Sequence, residues 1–233
     1  MSEWWTYTLS DFLLFSPQTY GRLLERYNAS VWPAPLVAFL AGTAILALLR
    51  RPTTGRSRAV AALLATGWVW VAVAFLLERY ATINWAAVYF AGAFALEAVL
   101  LLGLGVLAGT PLFEAGPDAA GRAGAGLYLA ALVGLPLASA AAHGLSRAEV
   151  FGVLPDPTAV GTLGLLVAAR GRGRVLLMAV PALWCATTGL TLLAMKDPLF
   201  WVAPLAAAAA LAVAVAARRR RPLSGELAST VRA

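Results

Sequence analysis

Seven apolar runs, all but one free of internal charge, account for most of the chain after residue 30: 31–49, 59–77, 83–107, 123–142, 158–169, 175–195 and 199–217. All but one reach the roughly 17–25 residues that carry an α-helix across a hydrocarbon core of about 30 Å. The runs are continuous and rich in Ala and Leu. A membrane barrel would instead show alternating segments of about 10 residues. The pattern therefore predicts an all-α polytopic transmembrane bundle of about seven spans. Short connections predict that successive spans pack as antiparallel neighbours. The exception, 158–169, would be only ~18 Å long as a helix. A re-entrant segment there would put the arginines at 170–174 and 218–221 on the wrong side, so parity favours a crossing.

Ahead of the spans, residues 1–30 have a different pattern. Trp4, Trp5 and Tyr7 suit the headgroup level as interfacial anchors. Ser10 and Ser16 are candidate N-caps, and Pro17 fits a first helical position. Tyr20, Leu23, Leu24 and Tyr27 then repeat at i, i+3, i+4, i+7, with Arg22, Glu25 and Arg26 elsewhere. This predicts an amphipathic helix lying on the membrane or against the bundle, an anchor more simply than a lid. The expected organisation is an interfacial segment (1–30), a helical bundle (31–221) and a disordered cytoplasmic tail (222–233). The first residues lack the basic region of a cleavable signal peptide.

Composition supports a lipid solvent. Of 233 residues, 61% are hydrophobic and 12% charged, against about 25% charged in soluble domains. The net charge is +7, and Lys196 is the only lysine among 18 basic residues. With the N-terminus outside, 13 basic residues fall on the inner side and 5 on the outer. That bias supports seven crossings and a cytoplasmic C-terminus. Arginines at span ends also argue against a nucleic-acid partner.

Candidate chemistry is sparse. Glu97 is the only acidic or basic residue within 83–107, and a charged group at that depth costs about 2.5–3.5 kcal/mol or more. Cys185, Thr187 and Thr188 are expected at a similar depth. They and Glu97 form a candidate intramembrane polar site, where a protonated carboxyl donating to a threonine would be a purely structural alternative. A second cluster is expected at outer span ends: Glu78, Arg79, His143, Arg147, Glu149, Asp156, Lys196 and Asp197. Ion pairs among these would close the outer mouth, although a solvated rim is the simpler reading. Asp156 lies between Pro155 and Pro157, which are expected to hold it outside the helix as a cap for the fifth span. One cysteine and one histidine leave no intramolecular disulfide and little for a metal. Retinal would need a lysine deep in a helix, and Lys196 sits at an end. No nucleotide loop or hydrolase motif is present, so no cofactor is expected and an enzyme is the least favoured class.

The segments WWTYTLSDFLLFSPQTYGRL at the start, VWPA at 31–34, FGVLPDPTAVGTLGLL at 151–166 and PALWC at 181–185 resemble an uncharacterised family of bacterial polytopic membrane proteins. The resemblance covers most of the chain and implies a bacterial cytoplasmic membrane, but it carries no activity. It also implies Cys at the Asp156 position in many members, so a thiol or metal role there would not transfer to this chain. The expected function is a small-solute or ion transporter or channel-like bundle using Glu97. The alternative is an accessory subunit of a larger membrane complex. Expected partners are the lipid bilayer and either a membrane protein or a second copy of the chain.

Overall fold

The computed structural model describes residues 13–219, apart from 115 and 172. The anchors at Trp4, Trp5 and Tyr7, the cap at Ser10 and the tail at 222–233 lie outside the described residues. Helix α1 is Pro17–Ser30, α2 is Ala34–Leu49, and α3 is Thr54–Trp70, continued by π-helical turns Val71–Leu77. Helix α4 is Ala87–Leu100 with a π-helical extension Leu101–Leu107, and α5 is Ala119–His143 with a π-helical stretch at Ala130–Gly134. Helices α6 (Pro155–Ala168), α7 (Arg174–Ala194) and α8 (Val202–Arg219) complete the chain.

The start of α1 follows from its sequence. Ser16 is the N-cap, its hydroxyl accepting from the Thr19 amide at 3.1 Å, and Pro17 occupies the first turn. Leu24 and Tyr27 turn inward and are buried. The helix docks against the bundle. The Asn28 amide donates to the carbonyls of Ser146 and Ala148, and Tyr27 donates to the Val153 carbonyl, each at 3.0 Å. Glu25 pairs with Arg147 at 2.7 Å. The chain then bends by 81° into α2.

The described residues are all-helical apart from loops and one isolated bridge between Leu112 and Arg170. Among them, the stretches Thr54–Thr82, Ala87–Leu107, Ala119–His143 and Arg174–Ala194 are long and apolar enough to cross a membrane. The bent α1–α2 pair would make a fifth, and Val202–Ala217 is a shorter apolar helix. A membrane location is therefore plausible. Helix α4 illustrates the packing: Val88, Leu96 and Val99 are exposed, while Ala91, Phe94, Glu97 and Ala98 face inward. A helix apolar on both faces suits burial on one side and lipid on the other.

The short run that hydropathy marks as weakest is the centre of the bundle. Every residue of α6 from Pro155 to Val167 is buried, and α3, α5, α7 and α8 pack around it. Enclosure by protein relieves α6 of the length and uniform apolarity that lipid demands. It tolerates Asp156, Thr158 and Thr162 because their partners are neighbouring helices or its own backbone.

Two local expectations are corrected. Asp156 lies inside α6, not before it. Helix α6 starts at Pro155 with Leu154 as N-cap, and no side chain caps it. First-turn amides have no intrahelical acceptor, so Pro155 and Pro157 remove nothing the helix uses. Helix α5 begins before the apolar run at 123–142, because Asp118 caps it through the Gly121 amide at 2.8 Å. Small residues on α4 pack within this chain. A Cβ on Gly105 would lie 2.4 Å from the Ala61 Cβ of α3, and Ala91 is buried.

Candidate functional site

Asp156 is the best-built polar group in the interior. Helices α6 and α7 meet so that Trp184 Nε1 donates to Asp156 Oδ1 at 2.7 Å and Thr188 Oγ1 donates to Oδ2 at 3.0 Å. Trp184 and Thr188 are four residues apart and share one face of α7. Cys185, fully buried beside them, is the free thiol of that face. Both donors are neutral. Among the described residues no cationic side chain lies within ion-pair distance of Asp156. The rest of α6 satisfies itself: Thr158 donates to the Leu154 carbonyl at 2.7 Å, and Thr162 donates to the Thr158 carbonyl while accepting from Trp68 Nε1 at 3.0 Å.

A cavity of about 120 Å³ opens above this centre on the face that carries α1, lined in part by Tyr20, His143, Arg147, Glu149 and Asp197. A smaller space of about 10 Å³ continues inward along Tyr20, Tyr80, Trp184, Thr188 and Thr191. The two share Tyr20, Leu192 and Met195, and Thr188 is bonded to Asp156. The two spaces thus lie between the α1 face and Thr188, the donor to Asp156, and Asp156 itself lines neither.

Backbone geometry sets the rim of the outer cavity. Helix α7 ends in a Schellman motif, with the Asp197 amide on the Leu192 carbonyl at 2.9 Å and the Lys196 amide on Leu193 at 3.0 Å. Lys196 takes the left-handed position at φ 59°, where glycine is usual. The Asp197 side chain is pinned by the Leu199 amide at 2.9 Å and meets His143 Nε2 at 2.9 Å. The half-buried Glu149 is held by its amide, which donates to Ser139 Oγ at 2.8 Å. Burial, followed by the negative charges of Asp156 and Asp197, pushes the Glu149 carboxyl well above the usual carboxylate range. Folding therefore favours its protonated form, and the stability this group contributes falls as pH rises through its folded value.

Glu97 lies apart from these groups. It is fully buried, and neither carboxyl oxygen has a hydrogen-bond partner among the described residues. It stands one turn from Phe94, whose ring packs on Trp184 at 5.1 Å and Trp68 at 4.3 Å between centroids. An aromatic layer thus links the surroundings of Glu97 to Asp156. The structure does not pair Glu97 with Cys185 or Thr188. Thr188 serves Asp156 instead, and Thr187 turns back to the Leu183 carbonyl at 2.9 Å.

The outer-face group divides. His143, Asp197, Arg147 and Glu149 line one cavity, whereas Asp156 lies beneath it. Arg79 instead reaches Ser30 Oγ at 3.4 Å, and Glu78 is exposed beside it. Lys196 lines a shallow surface depression with Leu13 to Pro17. Trp184 does not stand out by hydropathy, although its i, i+4 spacing from Thr188 was an available signal. The Glu25–Arg147 pair spans 122 residues and has no local signature at all. Among the described residues no group of three or more His, Cys, Asp or Glu side chains could hold a metal ion.

No curated protein and no solved structure matches this chain. A family model does match, over residues 18–224, which takes in every helix from the first turn of α1 to the end of α8 as well as Asp156 and its two donors. The chain belongs to the family of unknown function DUF6064.

Proposed function

We propose that this protein is a seven-span membrane protein of the bacterial cytoplasmic membrane that passes a proton or a small inorganic cation across the bilayer. One observation carries the reading. A buried carboxylate, Asp156, receives hydrogen bonds only from neutral donors, and one of them, Thr188, lines the inner of two adjoining spaces below the α1 face. In this reading the two spaces form one polar path that ends at Asp156. Neutralising a carboxylate in so apolar a setting calls for a proton or a cation, because an isolated buried charge is costly. The His143–Asp197 pair at the rim serves as the gate. Glu97, buried without a partner among the described residues, is the next group a transferred charge would meet beyond the aromatic layer. The positive-inside bias argues for α1 outside and the C-terminus in the cytoplasm.

The test is flux in proteoliposomes carrying an internal pH dye, with a potassium diffusion potential as the driving force. Wild-type protein should acidify the lumen faster than empty vesicles. Asp156→Asn and Glu97→Gln should each return the rate to the empty-vesicle level while the protein stays folded. Wild-type flux no greater than that of empty vesicles, across protons, Na⁺ and K⁺, contradicts the proposal. That result would turn attention to an accessory role in a larger complex.

A further inference from the structure

We propose that the crevice between α2 and α3 is a binding site for one membrane phospholipid, with an acyl chain in the crevice and an anionic headgroup on Arg79. The crevice holds about 450 Å³ and is lined almost entirely by apolar groups. Val37, Ala41 and Ile45 form one wall and Leu63, Gly67 and Trp70 the other, with the turn at Gly152 behind them. Its mouth faces outward from the bundle, since Val37 and Trp70 are both partly exposed. In a membrane that mouth opens on acyl chains.

Dimensions select the occupant. From Ala34 to Ile45 the α2 wall rises ~17 Å, close to the depth of one leaflet in a hydrocarbon core of about 30 Å. A partner helix of that length is about 10 Å across. A single extended hydrocarbon chain is thinner and flexible enough to enter.

Charge selects the headgroup. At the end of the crevice nearest α1, Val31 lines the wall and follows Ser30, whose hydroxyl receives Arg79 Nη2 at 3.4 Å. Arg79 is exposed and makes no ion pair among the described residues. Trp32, beside Val31, is 65% exposed and suits the headgroup level. A guanidinium at that height pairs with a phosphate through charge-assisted hydrogen bonds.

Native mass spectrometry of full-length protein extracted from nanodiscs of equal phosphatidylglycerol and phosphatidylcholine tests the assignment. Wild-type protein should retain one lipid, with phosphatidylglycerol favoured severalfold. Ala41→Phe, which fills the crevice, should lose the retained lipid. Should that variant fail to fold, Ala38→Leu fills less of the same space. Arg79→Gln changes only an exposed side chain, so it should keep the lipid but lose the headgroup preference. Equal retention by the filled variants overturns the assignment, as does an unchanged preference in Arg79→Gln. Release of the lipid preference by inorganic phosphate would also overturn it, by assigning Arg79 to a free anion.

Discussion

Gly164→Val should abolish the folded bundle, and Gly164→Ala should weaken it markedly. A Cβ on Gly164 of α6 would sit 2.7 Å from the Tyr128 amide nitrogen and 2.8 Å from the Gly124 carbonyl oxygen. On the facing helix, a Cβ on Gly124 would lie 2.4 Å from the Gly164 carbonyl oxygen. These are backbone atoms of α5 and α6, so no side chain can rotate away. The two helices would have to separate, and α5 is also tied to α2 by the Tyr128 hydroxyl on the Gly42 carbonyl at 2.8 Å. Overpacking of this kind costs about 1–3 kcal/mol for small additions. The helix-propensity gain of up to about 1 kcal/mol from Gly to Ala offsets only part of it. Gly126, also on α5, has nothing within 4 Å of its added Cβ, so Gly126→Ala should be neutral or stabilising. Thermal unfolding followed by size-exclusion chromatography in detergent measures all three. Equal unfolding temperatures for Gly164→Ala and Gly126→Ala would mean that α5 and α6 do not meet as described.

Asp156→Leu should destabilise the protein by about 1–3 kcal/mol, the cost of leaving a buried donor without an acceptor, while Asp156→Asn should cost less. In the leucine variant Thr188 can rotate to the carbonyl of its own helix four residues back. Thr187 and Thr191 already bond this way, at 2.9 Å each. Trp184 Nε1 has no such recourse, because a ring N–H cannot reach its own backbone ladder. The uncompensated cost therefore falls on Trp184. Asparagine keeps a carbonyl oxygen for Trp184 and can turn its amide toward the Thr188 hydroxyl, which then accepts. Stability and flux should thus separate: Asn preserves the fold and removes the titratable charge, whereas Leu damages both. Thermal shifts of equal size for the two variants would contradict this division of labour.

The helices were legible because continuous apolar runs in a chain this poor in charge have few other solutions. The first boundary agrees because its cap, Ser16, was read from the sequence. Boundaries drift by four or five residues at Thr54 and Ala119, whose caps Thr53 and Asp118 lie in polar linkers outside the apolar runs. The central place of α6 was not legible. Hydropathy measures fitness for lipid, and a helix enclosed by protein is excused from that requirement, so the most buried helix gave the weakest signal. The Asp156 site was half visible. The unusual Pro155-Asp156-Pro157 segment drew attention, but its prolines suggested an exclusion from the helix that the first turn does not impose. Pairing Thr188 with Glu97 failed for a different reason. Depth along a span places residues in a layer, not on facing sides, and each π-helical stretch rotates the helical turns beyond it. Burial of Glu97 was legible from its isolation among apolar neighbours, since a carboxyl facing lipid would be far more costly.

If a polar path leads from the α1 face to Asp156, cysteine accessibility along it shows this most directly. Thr191 lines the inner part of that path, whereas Cys185 is fully buried beyond it. In sealed right-side-out vesicles, Thr191→Cys in a Cys185→Ser background should react with a small membrane-impermeant thiosulfonate much faster than native Cys185 does. Reaction at the native rate, or only after the vesicles are opened, would contradict a path from that face.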